Sequence, residues 1–166
     1  MVTRLRIGLG YDRHRVAPGG PLRLGGVTIP WDHHLIGHSD ADVLLHAVTD
    51  AILGAVGLAD IGELFPDTEA SNAGIDSAVI LREARRRVAA IGYQPVNLDC
   101  VVLAQRPRLL PHRAALRRSL ARLLGCRPEA VFVKAKTGEG VGAVGRGEAI
   151  DAHCVVLLEP ADAPDA

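Results

Sequence analysis

Two periods of apolar residues run along the chain. Residues 4–11 (Arg-Leu-Arg-Ile-Gly-Leu-Gly-Tyr) alternate apolar and other positions, which predicts a strand. The turn at 18–21 is followed by two short apolar runs, 22–24 and 27–29, around Gly25-Gly26, which predicts a small hairpin. From Val43 the period becomes helical: Val43, Leu44, Ala47, Val48, Ala51 and Ile52 share one arc, with Ser39 or Asp40 as the expected cap. Residues 57–67 are punctuated by Gly and Pro and read as a loop with one helical turn at most. A mobile, small and polar stretch is expected at 68–74. A second amphipathic helix is predicted at 77–91, with Val79, Ile80, Leu81, Val88 and Ile91 inward and Arg82, Arg85, Arg86 and Arg87 in solvent, stopped by Gly92. A nearly continuous apolar strand follows at 97–105, which suits a central position. Then come a helix at 112–124, strands at 131–136 and 152–158, and a frayed tail at 160–166.

Helices and strands do not alternate strictly, so a doubly wound parallel sheet does not fit. The order predicts one α+β domain over residues 1–159: a mixed four-stranded sheet with helices packed on one face. The opposite face is aliphatic and needs a cover, and a partner subunit supplies one most economically.

Composition narrows the setting. The 166 residues hold 19 Lys+Arg and 19 Asp+Glu, so no global field recruits nucleic acid, and an anionic ligand must be held locally. Aromatic residues are only 3%, so the core must be aliphatic. The three cysteines, Cys100, Cys126 and Cys154, are scattered and odd in number, which predicts reduced thiols in a cytoplasmic protein and no zinc-cysteine site. The chain gives no support for secretion or membrane insertion.

Chemistry concentrates in the segment 37–50, Gly-His-Ser-Asp-Ala-Asp-Val-Leu-Leu-His-Ala-Val-Thr-Asp. Asp42, His46 and Asp50 recur every four residues and are expected on one helix face, where the carboxylates can orient an imidazole that binds a cation. Asp12 and His14, two apart at a strand end, are a second candidate pair of metal ligands. The adjacent His33 and His34 point apart on a loop and are weak candidates. The 57–67 loop carries Asp60, Glu63 and Asp67 beside Leu64 and Phe65, the make-up of a lid or pocket wall. After the strand at 131–136, Thr137-Gly138-Glu139-Gly140 is a Gly-rich turn suited to phosphate or metal–phosphate binding, although it is neither a P-loop nor a dinucleotide fingerprint.

Four motifs occur in order: Gly-Tyr-Asp-x-His-Arg, His-Ser-Asp-x-Asp-Val-x-x-His-Ala-x-x-Asp-Ala, Asp-Ile-Gly-x-x-Phe-Pro-Asp-Thr and Gly-Arg-Gly-Glu. Over residues 4–159 the chain thereby resembles the 2-C-methyl-D-erythritol 2,4-cyclodiphosphate synthases of the non-mevalonate isoprenoid pathway. The resemblance implies a homotrimer of ferredoxin-like subunits whose sheets face the threefold axis, with active sites between neighbouring subunits. It implies conversion of 4-diphosphocytidyl-2-C-methyl-D-erythritol 2-phosphate to the 2,4-cyclodiphosphate with release of CMP. By matching motifs, Asp12, His14 and His46 would hold one Zn²⁺ per subunit, leaving one position open for a substrate phosphate. His38 and Ser39 would touch phosphates. Asp60, Ile61, Gly62, Phe65, Pro66, Asp67, Thr68 and Glu69 would hold the methylerythritol part. The segment Ala104, Gln105, Arg106, Pro107, Arg108, Leu109 and Leu110 would read cytidine. Lys136, Thr137, Gly138 and Glu139 would surround the diphosphate, with Glu139 on a second divalent cation, Mg²⁺ or Mn²⁺, and Thr137 on the transition state. Ala143 and Arg146 complete the implied ligand contacts.

The chain departs from the family in two places. Family members often carry a run of threonines where this chain has Lys136-Thr137-Gly138, and often an aromatic at Ala143. Arg146 and Glu148 match; they would either bind an anion in the axial cavity or form an intersubunit salt bridge. The implied reaction suits the inventory, because the substrate's own 2-phosphate is the nucleophile and no Ser-His-Asp or Cys-His arrangement is present. Two rivals keep the same ligands: a zinc-dependent phosphohydrolase acting through water, and a non-catalytic trimeric metal-binding protein.

Overall fold

Gly8 and Gly10 decide how the first strand meets the first helix. A Cβ built on Gly8 would lie 1.9 Å from the backbone oxygen of Ala51, and one on Gly10 would lie 1.9 Å from that of Ala47. Only glycine allows the helix backbone to approach the sheet this closely. The strand, β1 (Arg6–Pro18), and the helix, α1 (Val43–Ala55), are therefore pressed face to face. Their chemistry-bearing residues, Asp12 and His14 on one and His46 on the other, meet as a result.

The computed structural model describes residues 4–161. After β1 come the hairpin β2 (Leu22–Leu24) and β3 (Val27–Ile29), then β4 (His33–Ile36) and α1. The one-turn α2 (Ile61–Leu64), the helix α3 (Ser77–Ala90), β5 (Tyr93–Leu103), α4 (Arg113–Leu124), β6 (Val131–Lys136), the short α5 (Gly142–Gly145) and β7 (Ala149–Pro160) follow. The fold is α+β, with a five-stranded mixed sheet in the order β4-β1-β7-β5-β6. Only β5 and β6 pair in parallel; the other neighbours are antiparallel.

The expected sheet had four strands. The fifth, β4, pairs with Arg15–Pro18 of β1. The sequence hid it because β1 runs on through the polar Asp12-Arg13-His14-Arg15, which has no apolar alternation. His33 and His34 thus sit on a strand and not on a loop, their side chains on opposite faces. His33 pairs with Asp32 and stacks on Trp31, and His34 contacts the Gly19 carbonyl, so neither joins the metal-ligand candidates.

The cap of α1 also differs from expectation. Asp42, not Ser39 or Asp40, caps the helix: its carboxylate accepts from Leu45 N at 3.0 Å. The same carboxylate accepts from Gly25 N and Gly26 N, both at 2.7 Å, in the two-residue hairpin turn. Both turn glycines have positive φ, as a primed hairpin turn requires. Asp42 is fully buried. Burial pushes its carboxyl up, opposed by the N–H donors of Gly26, Leu45 and Gly25. It is therefore a structural clamp between hairpin and helix, and it does not orient His46.

The core lies between the sheet and α1, α3 and α4. Leu44, Leu45, Ile52, Leu81, Leu98, Leu116 and Leu120 are almost fully buried there. Each such side chain contributes roughly 1.5–3 kcal/mol of burial. Val79 and Ile91, expected inward on α3, are 46% and 48% exposed, because the buried arc of that helix runs through Ala78, Ile80, Leu81, Ala84 and Val88. The sheet's other face is open: Ile7 is 72% exposed and Leu9 68%, beside Tyr11, Phe132 and Val155. Cys100 and Cys154 are buried directly opposite one another on β5 and β7, and all three cysteines are free.

Candidate active site

Three ligand atoms converge where β1 meets α1. His46 Nδ1 lies 2.9 Å from Asp12 Oδ2, His14 Nε2 lies 3.0 Å from the same oxygen, and the two imidazole nitrogens are 3.1 Å apart. Asp12 and His14 are half-buried and His46 is buried. His14 Nδ1 lies 2.8 Å from the Ile36 carbonyl, which can only accept. That nitrogen therefore donates to Ile36, and Nε2 is the nitrogen that faces Asp12 and His46, where a cation could take its lone pair. Two imidazoles and one carboxylate, all within 4.8 Å of one another, fit a divalent metal of the zinc type with a coordination position left open.

The electrostatics match that donor set. Burial alone would raise the Asp12 carboxyl, but hydrogen bonds to His14 and His46 outweigh it and hold the group below the ordinary carboxylate range. Burial alone would lower the His14 imidazole, but the Asp12 carboxylate overcomes it and raises the group above its ordinary value.

The candidate trio Asp12, His14 and His46 lines a cavity of about 300 Å³. His38, Ser39, Ile61, Gly62, Phe65 and Asp67, all named from the sequence, line it as well. The loop wall is held from below. Asp50 Oδ1 accepts from Ile61 N at 3.0 Å, and Asp60, the cap of α2, accepts from Glu63 N at 2.9 Å. Burial raises the Asp50 carboxyl, with the Ile61 N–H acting against it. Asp50 thus fixes the wall of the pocket and makes no hydrogen bond to His46, contrary to the expectation from the four-residue spacing. Pro66 accepts from the buried Asn72 side chain at 2.9 Å, which ties the segment 66–72, including the exposed Thr68 and Glu69, back onto itself.

Asn72, Ile75 and Ile80 also line the cavity, and Ser77 stands behind it. Sequence reasoning missed all four as site residues. Ile80 and Ser77 carry a detectable signal only as inward positions of α3, which patterning reads as core.

The remaining sequence-predicted residues lie elsewhere in the chain. Asp12 pairs across β1 and β7 with Ala152, Ala152 with Val102 of β5, and Val102 with Ala135 of β6. The turn after β6 therefore begins near the same row as Asp12 but three strands away, about 14 Å at the usual strand spacing. Ala104 N donates to Lys136 O at 2.8 Å, which joins the segment 104–110 to that turn. Of this segment, Ala104 and Leu109 are buried, Arg106, Arg108 and Leu110 are exposed, and Pro107 and Gln105 are intermediate. Gln105 Oε1 is buried with no hydrogen-bond partner among the described residues.

In the turn, Thr137 Oγ1 donates to Glu139 Oε1 at 2.5 Å, and Glu139 has φ 51°. A Cβ on Gly138 would come within 2.3 Å of Gly145 N, so the turn as folded here leaves no room for a side chain at that position. Ala143 lines a separate cavity with Arg13, Arg15 and Glu148. Arg146 pairs with Glu148 of its own chain at 2.8 Å. Within one chain the predicted site is thus split into two halves at the same end of the sheet.

A match to the YgbB family covers residues 5–159. The 2-C-methyl-D-erythritol 2,4-cyclodiphosphate synthase of Rhodopirellula baltica is 57% identical over 153 residues, 92% of this chain and 92% of that protein. That of Chromobacterium violaceum is 56% identical over 156 residues, 94% of this chain and 99% of that protein. Among solved structures, Plasmodium falciparum IspF in complex with CDP superposes with a TM-score of 0.85 at 34% identity, covering 98% of this chain and 100% of that one. The bifunctional IspDF of Campylobacter jejuni gives a TM-score of 0.92 at 39% identity, covering 96% of this chain and 43% of that longer one. Motifs, metal-ligand geometry and full-length similarity agree, and the chain belongs to the YgbB family, with the 2-C-methyl-D-erythritol 2,4-cyclodiphosphate synthases as its relatives.

Proposed function

We propose that this protein cyclises 4-diphosphocytidyl-2-C-methyl-D-erythritol 2-phosphate to 2-C-methyl-D-erythritol 2,4-cyclodiphosphate with release of CMP, as a lyase of isoprenoid precursor biosynthesis. The observation that carries this reading is the meeting of Asp12, His14 and His46 inside a cavity shared with His38, Ser39 and the Ile61–Asp67 wall. The relatives' shared name supports the reaction, and the CDP complex of a structural neighbour supports a cytidine nucleotide as ligand.

The substrate's 2-phosphate attacks the β-phosphorus; one P–O bond forms in the ring and the bond to the CMP phosphate breaks. No protein nucleophile is required. The chain's task is to bind two phosphoryl groups in line and to neutralise their charge. His38 and Ser39 hold phosphate oxygens. Ile61 and Phe65 pack against the carbon skeleton, aided by Gly62 and Pro66, while Asp60, Asp67, Thr68 and Glu69 offer polar contacts to its hydroxyls. A Zn²⁺ held by Asp12, His14 and His46 would supply a Lewis acid for a phosphate oxygen. Glu139 would hold a second cation, Mg²⁺ or Mn²⁺, and Thr137 would contact the transition state, beside Lys136 and Gly138.

The split site needs a second chain. A homotrimer of ferredoxin-like subunits, sheets toward the axis, brings the 104–110 and 136–139 segments of one subunit to the Asp12 cavity of its neighbour. It also covers Ile7, Leu9 and Val155. Ala143 and Arg146 would then lie toward the axis. Residues 1–159 serve as a single catalytic domain, and the cytoplasm is the expected site of action. Among the described residues no helix is long and apolar enough to cross a membrane.

Incubation of the purified protein with substrate, Zn²⁺ and Mg²⁺, followed by phosphorus NMR, tests the reading. CMP and a cyclic diphosphate are expected in equal amounts. An open-chain 2,4-bisphosphate, with no P–O–P bond, would assign a hydrolase instead.

A further inference from the structure

His46 is held from behind by a residue 31 positions away. Ser77, the first residue of α3, is fully buried. Its Oγ lies 2.8 Å from His46 Nε2, and its hydroxyl donates to Asp40 Oδ1. A hydroxyl has one hydrogen, and a carboxylate oxygen accepts it here. Toward His46 the Ser77 oxygen is therefore an acceptor, so Nε2 carries the imidazole proton. Ser39 Oγ, 3.0 Å from the same nitrogen, lies on the same side. His46 Nδ1 is then the nitrogen that faces Asp12 and His14, the side on which a cation would take its lone pair.

We propose that Asp40 and Ser77 are positioning residues that hold His46 in its metal-binding tautomer, making the start of α3 part of the metal site. The proposal rests on the reading of Asp12, His14 and His46 as metal ligands. The surrounding loops are built to keep the relay in place. Asp40 N donates to Ile75 O at 3.1 Å, Gly74 N donates to His38 O at 2.8 Å, and Asp76 caps α3 through Ala78 N. A metal-ligating histidine that donates its other N–H to a fixed acceptor is oriented and more basic, and losing that acceptor costs 10–100-fold in metal affinity as an order of magnitude.

Asp40 makes the test specific. Asp40→Ala leaves the Ser77 hydroxyl hydrogen free to turn toward Nε2, which favours the proton on Nδ1. Asp40→Asn keeps an acceptor oxygen for Ser77 and restores the arrangement. The Nε2–H of His46 is read in the Zn²⁺-loaded protein by proton–nitrogen NMR of ¹⁵N-histidine, where its hydrogen bond to Ser77 slows exchange with water. Metal affinity is read by titration with Co²⁺, whose visible absorption reports tetrahedral binding. The parent and Asp40→Asn should show the exchange-protected Nε2–H and similar Co²⁺ affinity. Asp40→Ala and Ser77→Ala should lose that protection and bind Co²⁺ roughly 10–100-fold more weakly, with native circular dichroism. Equal Co²⁺ affinity and an unchanged Nε2–H protection in Asp40→Ala would overturn the relay while leaving the metal reading intact. Failure of the parent itself to bind Co²⁺ would overturn the metal reading and the proposal with it.

Discussion

His14 Nε2 and His46 Nδ1 lie 3.1 Å apart, although 32 residues separate them in the chain. Two strand glycines make that distance possible, since they let α1 settle directly on β1. Gly10→Ala would place a methyl 1.9 Å from the carbonyl oxygen of Ala47, the residue that follows His46. The helix must then move. Overpacking of this kind costs about 1–3 kcal/mol, so denaturant unfolding should show a loss of that order, and the separation of the two imidazoles should widen enough to weaken metal binding. An unchanged midpoint and unchanged metal affinity would contradict the packing argument.

Metal content should follow His46. One zinc per subunit is expected in the purified protein, measured by elemental analysis, since sites with three protein ligands bind the ion tightly. His46→Ala should lose the metal and nearly all activity while keeping its helical circular dichroism, because the side chain faces the cavity and not the aliphatic core. Full zinc occupancy in that variant would rule the ligand assignment out.

Much of this site is legible in the sequence, and the illegible part has physical causes. Asp12 and His14 stand out as an Asp-x-His pair at the end of an alternating strand, and His46 as a polar residue within an apolar-periodic helix. Ser77 does not stand out, because a serine after Asp76 at the start of a helix has an ordinary capping context; only the fold shows that its oxygen faces His46. Asp42 and Asp50 misled for the opposite reason. Their spacing from His46 is helical, yet one carboxylate turns back to the Gly25-Gly26 turn and the other forward to Ile61 N. The strand β4 was invisible because its partner segment on β1 is charged. The division of the site into two halves follows from the strand order, which periodicity does not encode.

The uncovered sheet face carries the expectation of a trimer. Light scattering should give three times the 17.5 kDa chain mass at micromolar concentration. Leu9→Glu, at a position 68% exposed in one chain, should shift the mass to that of one chain and abolish turnover through loss of the shared site. A parent protein that is monomeric yet active would refute the shared-site reading.

Glu139 and Asp67 should fail in different ways. Glu139→Gln removes the single protein carboxylate proposed for the second cation, which Mg²⁺ binds weakly and mostly through water and substrate oxygens. It should keep zinc, demand far more Mg²⁺ and lose about 2–4 kcal/mol of transition-state stabilisation. Asp67→Asn removes a contact to substrate hydroxyls and should mainly raise KM. Initial rates across a Mg²⁺ titration separate the two, and a parent-like Mg²⁺ dependence in Glu139→Gln would remove that residue from the metal assignment.

The central claim is that the metal site closes a ring with the substrate's own phosphate and admits no water to the reaction. Turnover in ¹⁸O-enriched water, with the products weighed by mass spectrometry, addresses it directly. Ring closure predicts CMP and a cyclic diphosphate that both carry no solvent oxygen. A product holding one ¹⁸O atom per turnover would show that water is the nucleophile, and the cyclisation account would be wrong.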